Sequence, residues 1–139
     1  MENTAINFQE LTELALQARE RAYVPYSHFA VGAALLCKDG TVYQGCNIEN
    51  AAYPATNCAE RTAFFKAVSE GRRDFAAIAV AGGPAGEAPA AFCPPCGVCR
   101  QVMREFCGAD FAIVLSDGGK IQAYTLGELL PCSFGPENL

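Results

Sequence analysis

The chain has no cluster of lysine or arginine. Ten basic residues stand against fifteen acidic ones, for a net charge of −5 and a pI of about 4.8. No positive stripe is available to track phosphates, so a nucleic-acid partner is not expected. No apolar run approaches the ~20 residues needed to span a bilayer, so no membrane partner is expected either. The N-terminus is acidic and amphipathic and lacks the layout of a secretory leader. Histidine occurs once, at His28, and is read as structural or solvent-facing. Charged residues make up only 18% of the chain and hydrophobic ones 51%. That balance indicates a globular protein with much of its surface buried or turned towards other subunits. With 139 residues, no repeat and no linker, one domain over residues 1–139 is expected.

What the chain does have is eight cysteines. With nothing to suggest export, a reduced, cytoplasmic setting is expected rather than a disulfide framework. Cys37, Cys46, Cys107 and Cys132 lie in or beside apolar stretches and read as small buried residues. The other four lie close to one chemical motif.

That motif is Cys58-Ala59-Glu60, followed downstream by Pro95-Cys96-Gly97-Val98-Cys99. Catalytic zinc takes three protein ligands and keeps one position open. Cys96 and Cys99 offer two sulfurs from one helical turn, and Cys58 a third from another helix start. Both helix N-termini favour thiolate. Three thiolates and Zn²⁺ sum to about −1, which makes bound water less acidic. Arg61 is placed to offset that charge by donating to a ligand sulfur. Glu60 is a candidate proton shuttle rather than a fourth ligand. Cys93 is read as a spare thiol. Two other readings stay open here: a structural zinc knot completed by Cys93, and a thiol–disulfide role for Cys96 and Cys99.

Hydrophobic periodicity predicts a helix over Phe8–Arg21. A strand over Ala30–Cys37, an Asp-Gly turn and a return strand over Val42–Cys46 follow. Residues Asn47–Asn57 read as polar and irregular. A helix from Cys58 to Val68, a buried strand over Ala76–Ala81 and a loop over Gly82–Pro95 come next. A second helix over Cys96–Phe106 leads to strands at Phe111–Leu115 and Lys120–Tyr124. A short helix capped by Thr125 and Glu128 closes the pattern. Helices between strands imply parallel pairing with layers on both sheet faces.

Beyond the metal motif, five segments in order resemble the small, homotetrameric cytidine deaminases of the three-cysteine type. They are Pro25–Ala34, Gly45–Tyr53, Asn57–Ala63, Pro95–Met103 and Leu129–Pro136, which together reach from about residue 20 to the end. Pro94 departs from the family pattern, in which Ser commonly precedes the Pro-Cys pair.

The resemblance implies an α/β fold, a three-layer α-β-α sandwich with a five-stranded mixed sheet. It implies one Zn²⁺ per subunit and a homotetramer with shared active sites. The implied reaction is hydrolytic deamination of cytidine and 2′-deoxycytidine to uridine and 2′-deoxyuridine plus ammonia, in pyrimidine salvage. Glu60 would move protons to N3 and to the leaving amine. By the same resemblance Phe29 packs on the pyrimidine, Ala59 offers backbone groups to the base, and Asn47 and Glu49 hold the sugar. Phe134 enters a neighbouring subunit's site, and Tyr53 lies near a subunit boundary. On residue pattern alone, Phe29 reads equally well as core, and Asn47 and Glu49 as an ordinary polar loop.

Overall fold

A computed structural model describes residues 6–139. The expectation about a leader falls partly on residues 1–5, which lie outside the described residues. Helix α1 (Phe8–Arg19) starts at a reciprocal cap, with Asn7 accepting from the Glu10 backbone and Glu10 accepting from that of Asn7. Strands β1 (Phe29–Cys37) and β2 (Val42–Cys46) form an antiparallel hairpin. Its turn holds Gly40 at a φ of 96°, which the Asp-Gly pair supplies. Helix α2 (Ala59–Ser69), strand β3 (Phe75–Pro84), helix α3 (Gly97–Phe106), strands β4 (Ala112–Ser116) and β5 (Ile121–Thr125) and helix α4 (Leu126–Leu129) follow.

The five strands lie in the order β2-β1-β3-β4-β5. Only β3 and β4 pair in parallel, and the other three pairings are antiparallel. The parallel expectation therefore holds for one pair. The hairpin places β1 between β2 and β3, so α2 crosses over β1 rather than joining neighbours.

Side-chain alternation along β1 divides the core. Ala33, Leu35 and Cys37 point to one face, where they meet Ala63, Phe64 and Ala67 of α2, Met103 of α3 and Leu126 of α4. Ala34 and Leu36 point to the other, against Leu11 and Ala15 of α1. Helices thus cover both faces of the sheet. Phe64 is fully buried, and the rings of Phe75, Phe106 and Phe111 surround it at centroid distances of 5.1, 6.2 and 6.0 Å.

Several boundaries differ from expectation. Helix α1 stops at Arg19 because the chain turns so that Tyr23 can bridge to Ile48. Strand β3 runs on to Pro84, paired with β1 as far as Phe29, so the loop begins at Ala85. The polar stretch contains a short 3₁₀ turn at Tyr53–Ala55. Thr125 and Glu128 form the expected cap. Cys37 is buried and Cys46 and Cys107 are half-buried, but Cys132 is exposed. It sits in the turn after α4 with a left-handed φ of 52°, where its side chain has no core to enter.

Candidate active site and metal centre

Cys58 and Cys96 are the N-caps of α2 and α3, and Cys99 lies one turn into α3, buried. These caps bring the three Sγ atoms within 4.8 Å of one another. Helix α2 can come this close because position 45 is glycine: a Cβ there would collide with the Ala59 carbonyl.

The donor set fits zinc. Three thiolates around one tetrahedral ion stand ~3.8 Å apart, and Cys58 and Cys96 Sγ are 3.9 Å apart. Arg61 Nη2 donates to Cys58 Sγ at 3.1 Å. Arg61 Nε is buried without a partner, so the guanidinium is placed to serve anionic sulfur. Cys93 lies outside the three-sulfur cluster among the described residues, which leaves no four-sulfur knot there.

Electrostatics follow from this crowding. Cys58 falls to about 5, because Cys99 donates a hydrogen bond to it and Arg61 adds a hydrogen bond and a positive charge, all against burial. In the zinc-free chain that same hydrogen bond and burial push Cys99 up, and metal binding would release its proton. Burial opposes the Arg61 charge, yet the bonds to Cys58 and Cys99 outweigh it. Glu60, only 4% exposed, is pushed up to about 7. Burial is the main cause, and the Cys58 charge adds to it against Glu60's own backbone N–H and Arg61. A carboxyl that titrates near neutrality can both accept and return a proton.

Glu60 and Ala59 share a cavity of about 160 Å³ with Cys58, Cys96, Asn47 and Cys93. Asn47 continues the β1–β2 ladder with its side chain. Its Oδ1 accepts from Val31 N and its Nδ2 donates to Phe29 O, each at 2.9 Å. One lone pair and one N–H remain for a ligand. Phe29 is 41% exposed and lies outside the lining of this cavity. Position 82 is glycine, so the Phe29 ring, Val31 and Cys93 Sγ close over it. Burial and the charges of Glu60 and Cys58 push Cys93 up to about 11, against Arg19.

Glu49 and Tyr53 line a separate hollow of about 370 Å³ with Tyr26 and Ser27. The Glu49 carboxylate accepts from the backbone of Tyr26 and Ser27 and from the Ser27 hydroxyl. Phe134 lines neither space: it is 58% exposed, and its carbonyl accepts from Gln101 Nε2. His28 is exposed, with a φ of 56° that turns the chain into β1.

Sequence reasoning missed Arg100. Its Nε donates to Pro95 O at 2.8 Å and its Nη1 to Leu129 O at 2.6 Å, which ties the turn before Cys96 to the C-terminal segment. A partner 29 residues away leaves no local signal.

Residues 6–115 match the family described as "Cytidine and deoxycytidylate deaminase zinc-binding region". A cytidine deaminase of Halalkalibacterium halodurans is 58% identical over 132 residues, covering 94% of this chain and 96% of the relative. One from Sporosarcina psychrophila is 52% identical, covering 96% of each. The crystal structure of cytidine deaminase from Burkholderia pseudomallei superposes with a TM-score of 0.85 at 47% identity, covering 93% of this chain and 100% of that one. Three clustered sulfurs beside a buried carboxyl, on a sheet of this topology, agree with those likenesses, and the chain belongs to the cytidine and deoxycytidylate deaminase zinc-binding family.

Proposed function

We propose that the chain deaminates cytidine and 2′-deoxycytidine by hydrolysis, releasing uridine or 2′-deoxyuridine and ammonia. The observation that carries this is the position of Glu60, a buried carboxyl lining one cavity with two of the three clustered sulfurs. Cys58, Cys96 and Cys99 would hold zinc, which would supply the Lewis acidity that lets water act as the nucleophile at C4. Glu60 accepts the proton released by that water and delivers it to N3. It then takes the proton of the new C4 hydroxyl and passes it to the C4 amino group, so that the C–N bond breaks as ammonia leaves and the oxygen stays on C4 as a carbonyl. Arg61 offsets the charge of the three thiolates. Ala59 lends backbone groups to the base, and Phe29 covers the ring.

Asn47 and Glu49 engage the sugar in this reading. The spare donor and acceptor of Asn47 support that role. Glu49 has three donors already and one carboxylate lone pair left. The free chain covers this end incompletely. Tyr53 is 73% exposed and Phe134 58% exposed, which supports a homotetramer in which Phe134 closes a neighbour's site and Tyr53 lies near the boundary. Eight free thiols support a reducing, cytoplasmic setting, and no described helix is long and apolar enough to cross a membrane.

The test is ammonia release by the zinc-loaded protein from cytidine, deoxycytidine, free cytosine and cytidine monophosphate. The two nucleosides should give by far the highest kcat/KM. Comparable turnover of free cytosine would remove the sugar contacts, and no turnover of any of the four would remove the deaminase reading.

A further inference from the structure

Arg19 is 6% exposed, and among the described residues no carboxylate lies within ion-pair distance of it. A buried cation needs its donors occupied. Here main-chain carbonyls do that work. Nε donates to Ala30 O at 2.9 Å, Nη1 to Glu87 O at 3.0 Å, and Nη2 to Gly83 O and Pro84 O at 2.9 Å each. A planar guanidinium with five N–H groups can span these points, whereas an ammonium offers a single nitrogen.

The four carbonyls belong to three segments that adjoin residues of the cavity wall. Ala30 stands between Phe29 and Val31, and Val31 lines the cavity. Gly83 and Pro84 end β3 next to Gly82, over which Phe29, Val31 and Cys93 close. Glu87 lies in the loop that descends to Cys93 and Pro94, both in the cavity wall. A second pin holds that loop: Pro89 is buried, and a Cβ at Gly83 or Gly118 would run into it. The sulfur cluster has its own anchors, since Arg100 fixes Pro95 and the two helices begin at Cys58 and Cys96.

We propose that Arg19 is a positioning residue for the substrate. By binding these carbonyls together it sets the separation between Phe29 and the Cys93–Pro94 wall, the slot that receives the pyrimidine ring. The inference rests on the nucleoside reading above. Because the zinc ligands are anchored separately, disturbing Arg19 weakens substrate binding while leaving the metal and the proton transfers in place.

The experiment compares wild type, Arg19→Met, Arg19→Lys and Pro89→Gly for zinc content, thermal midpoint, kcat and KM with cytidine. A ring held loosely loses binding in the ground state and the transition state alike, which appears in KM rather than kcat. We expect KM in Arg19→Met to rise by about tenfold or more, with kcat within a few-fold and zinc content unchanged. Arg19→Lys should recover only part of the loss, and Pro89→Gly should raise KM in the same sense. A role confined to stability would lower the thermal midpoint and leave KM alone. Unchanged KM in folded Arg19→Met overturns the proposal, as does a loss that follows zinc content. If Arg19→Met does not fold, unchanged KM in Pro89→Gly overturns it. Absence of wild-type turnover would instead strike the functional reading, and this proposal with it.

Discussion

Arg61 Nη2 lies 3.1 Å from Cys58 Sγ, one helical turn along α2 from the residue at that helix's N-cap position. The Cys99 hydrogen bond and the Arg61 guanidinium therefore act on a single sulfur and hold Cys58 below the ordinary thiol value. Replacing Arg61 with Gln removes the charge and keeps a donor. Partners that support metal ligands are typically worth roughly 10–100-fold in metal affinity or activity. Chelator competition should show zinc held more weakly, and the pH–rate profile should move to higher pH, with the far-ultraviolet spectrum unchanged.

Glu60→Gln preserves shape and removes the proton carrier. A fall in kcat of about 10²–10⁴-fold or more is expected, since two transfers depend on it, with zinc retained. The same change has a stability signature in the zinc-free chain. The folded carboxyl binds its proton up to about pH 7, against an ordinary value of 4.5. Its contribution to stability is therefore full below pH 4.5 and is lost as pH rises to 7. Above that range a buried carboxylate costs about 3 kcal/mol. Urea unfolding should show Glu60→Gln gaining on wild type by that order between pH 4.5 and 8, with no further change below pH 4.

Phe64 holds the site from beneath. It lies on α2 one turn beyond Glu60, inside the cluster of Phe75, Phe106 and Phe111. Truncation to Ala should cost about 3–5 kcal/mol, because a packed ring site collapses poorly. Chemical denaturation would measure it, and zinc retention should fall with it as α2 loosens.

Phe134 and Glu60 offer a test of shared sites. In a mixed oligomer a Phe134→Ala subunit keeps its own Glu60 and borrows Phe134 from a Glu60→Ala neighbour. Dissociating the two inactive preparations and reassembling them together should restore activity above the mean of the two. Recovery absent from demonstrated mixed oligomers would place Phe134 outside any neighbour's site.

Local sequence carried most of the secondary structure and the metal ligands. Capping, alternation and cysteine spacing act over a few residues, so Cys58, Cys96 and Cys99 are readable wherever their helices begin. The family resemblance reached further and named Asn47, Glu49 and Phe134, which no local rule singles out. Long-range geometry was not legible. That β3 extends to Pro84 depends on a partner strand 55 residues earlier, since Pro84 pairs with Phe29. That Glu49 is taken up by Ser27 depends on a turn 22 residues away.

The sequence by itself determined that zinc chemistry is available, because ligand type and helix-start spacing are properties of short segments. Only the tertiary structure decided how that chemistry is tuned. Burial lifts Glu60 towards neutrality, Arg61 reaches a sulfur it could have missed, and Arg19 gathers carbonyls from residues 30, 83, 84 and 87. Desolvation and convergent hydrogen bonds depend on which distant segments the fold brings together, and no window of adjacent residues contains that information.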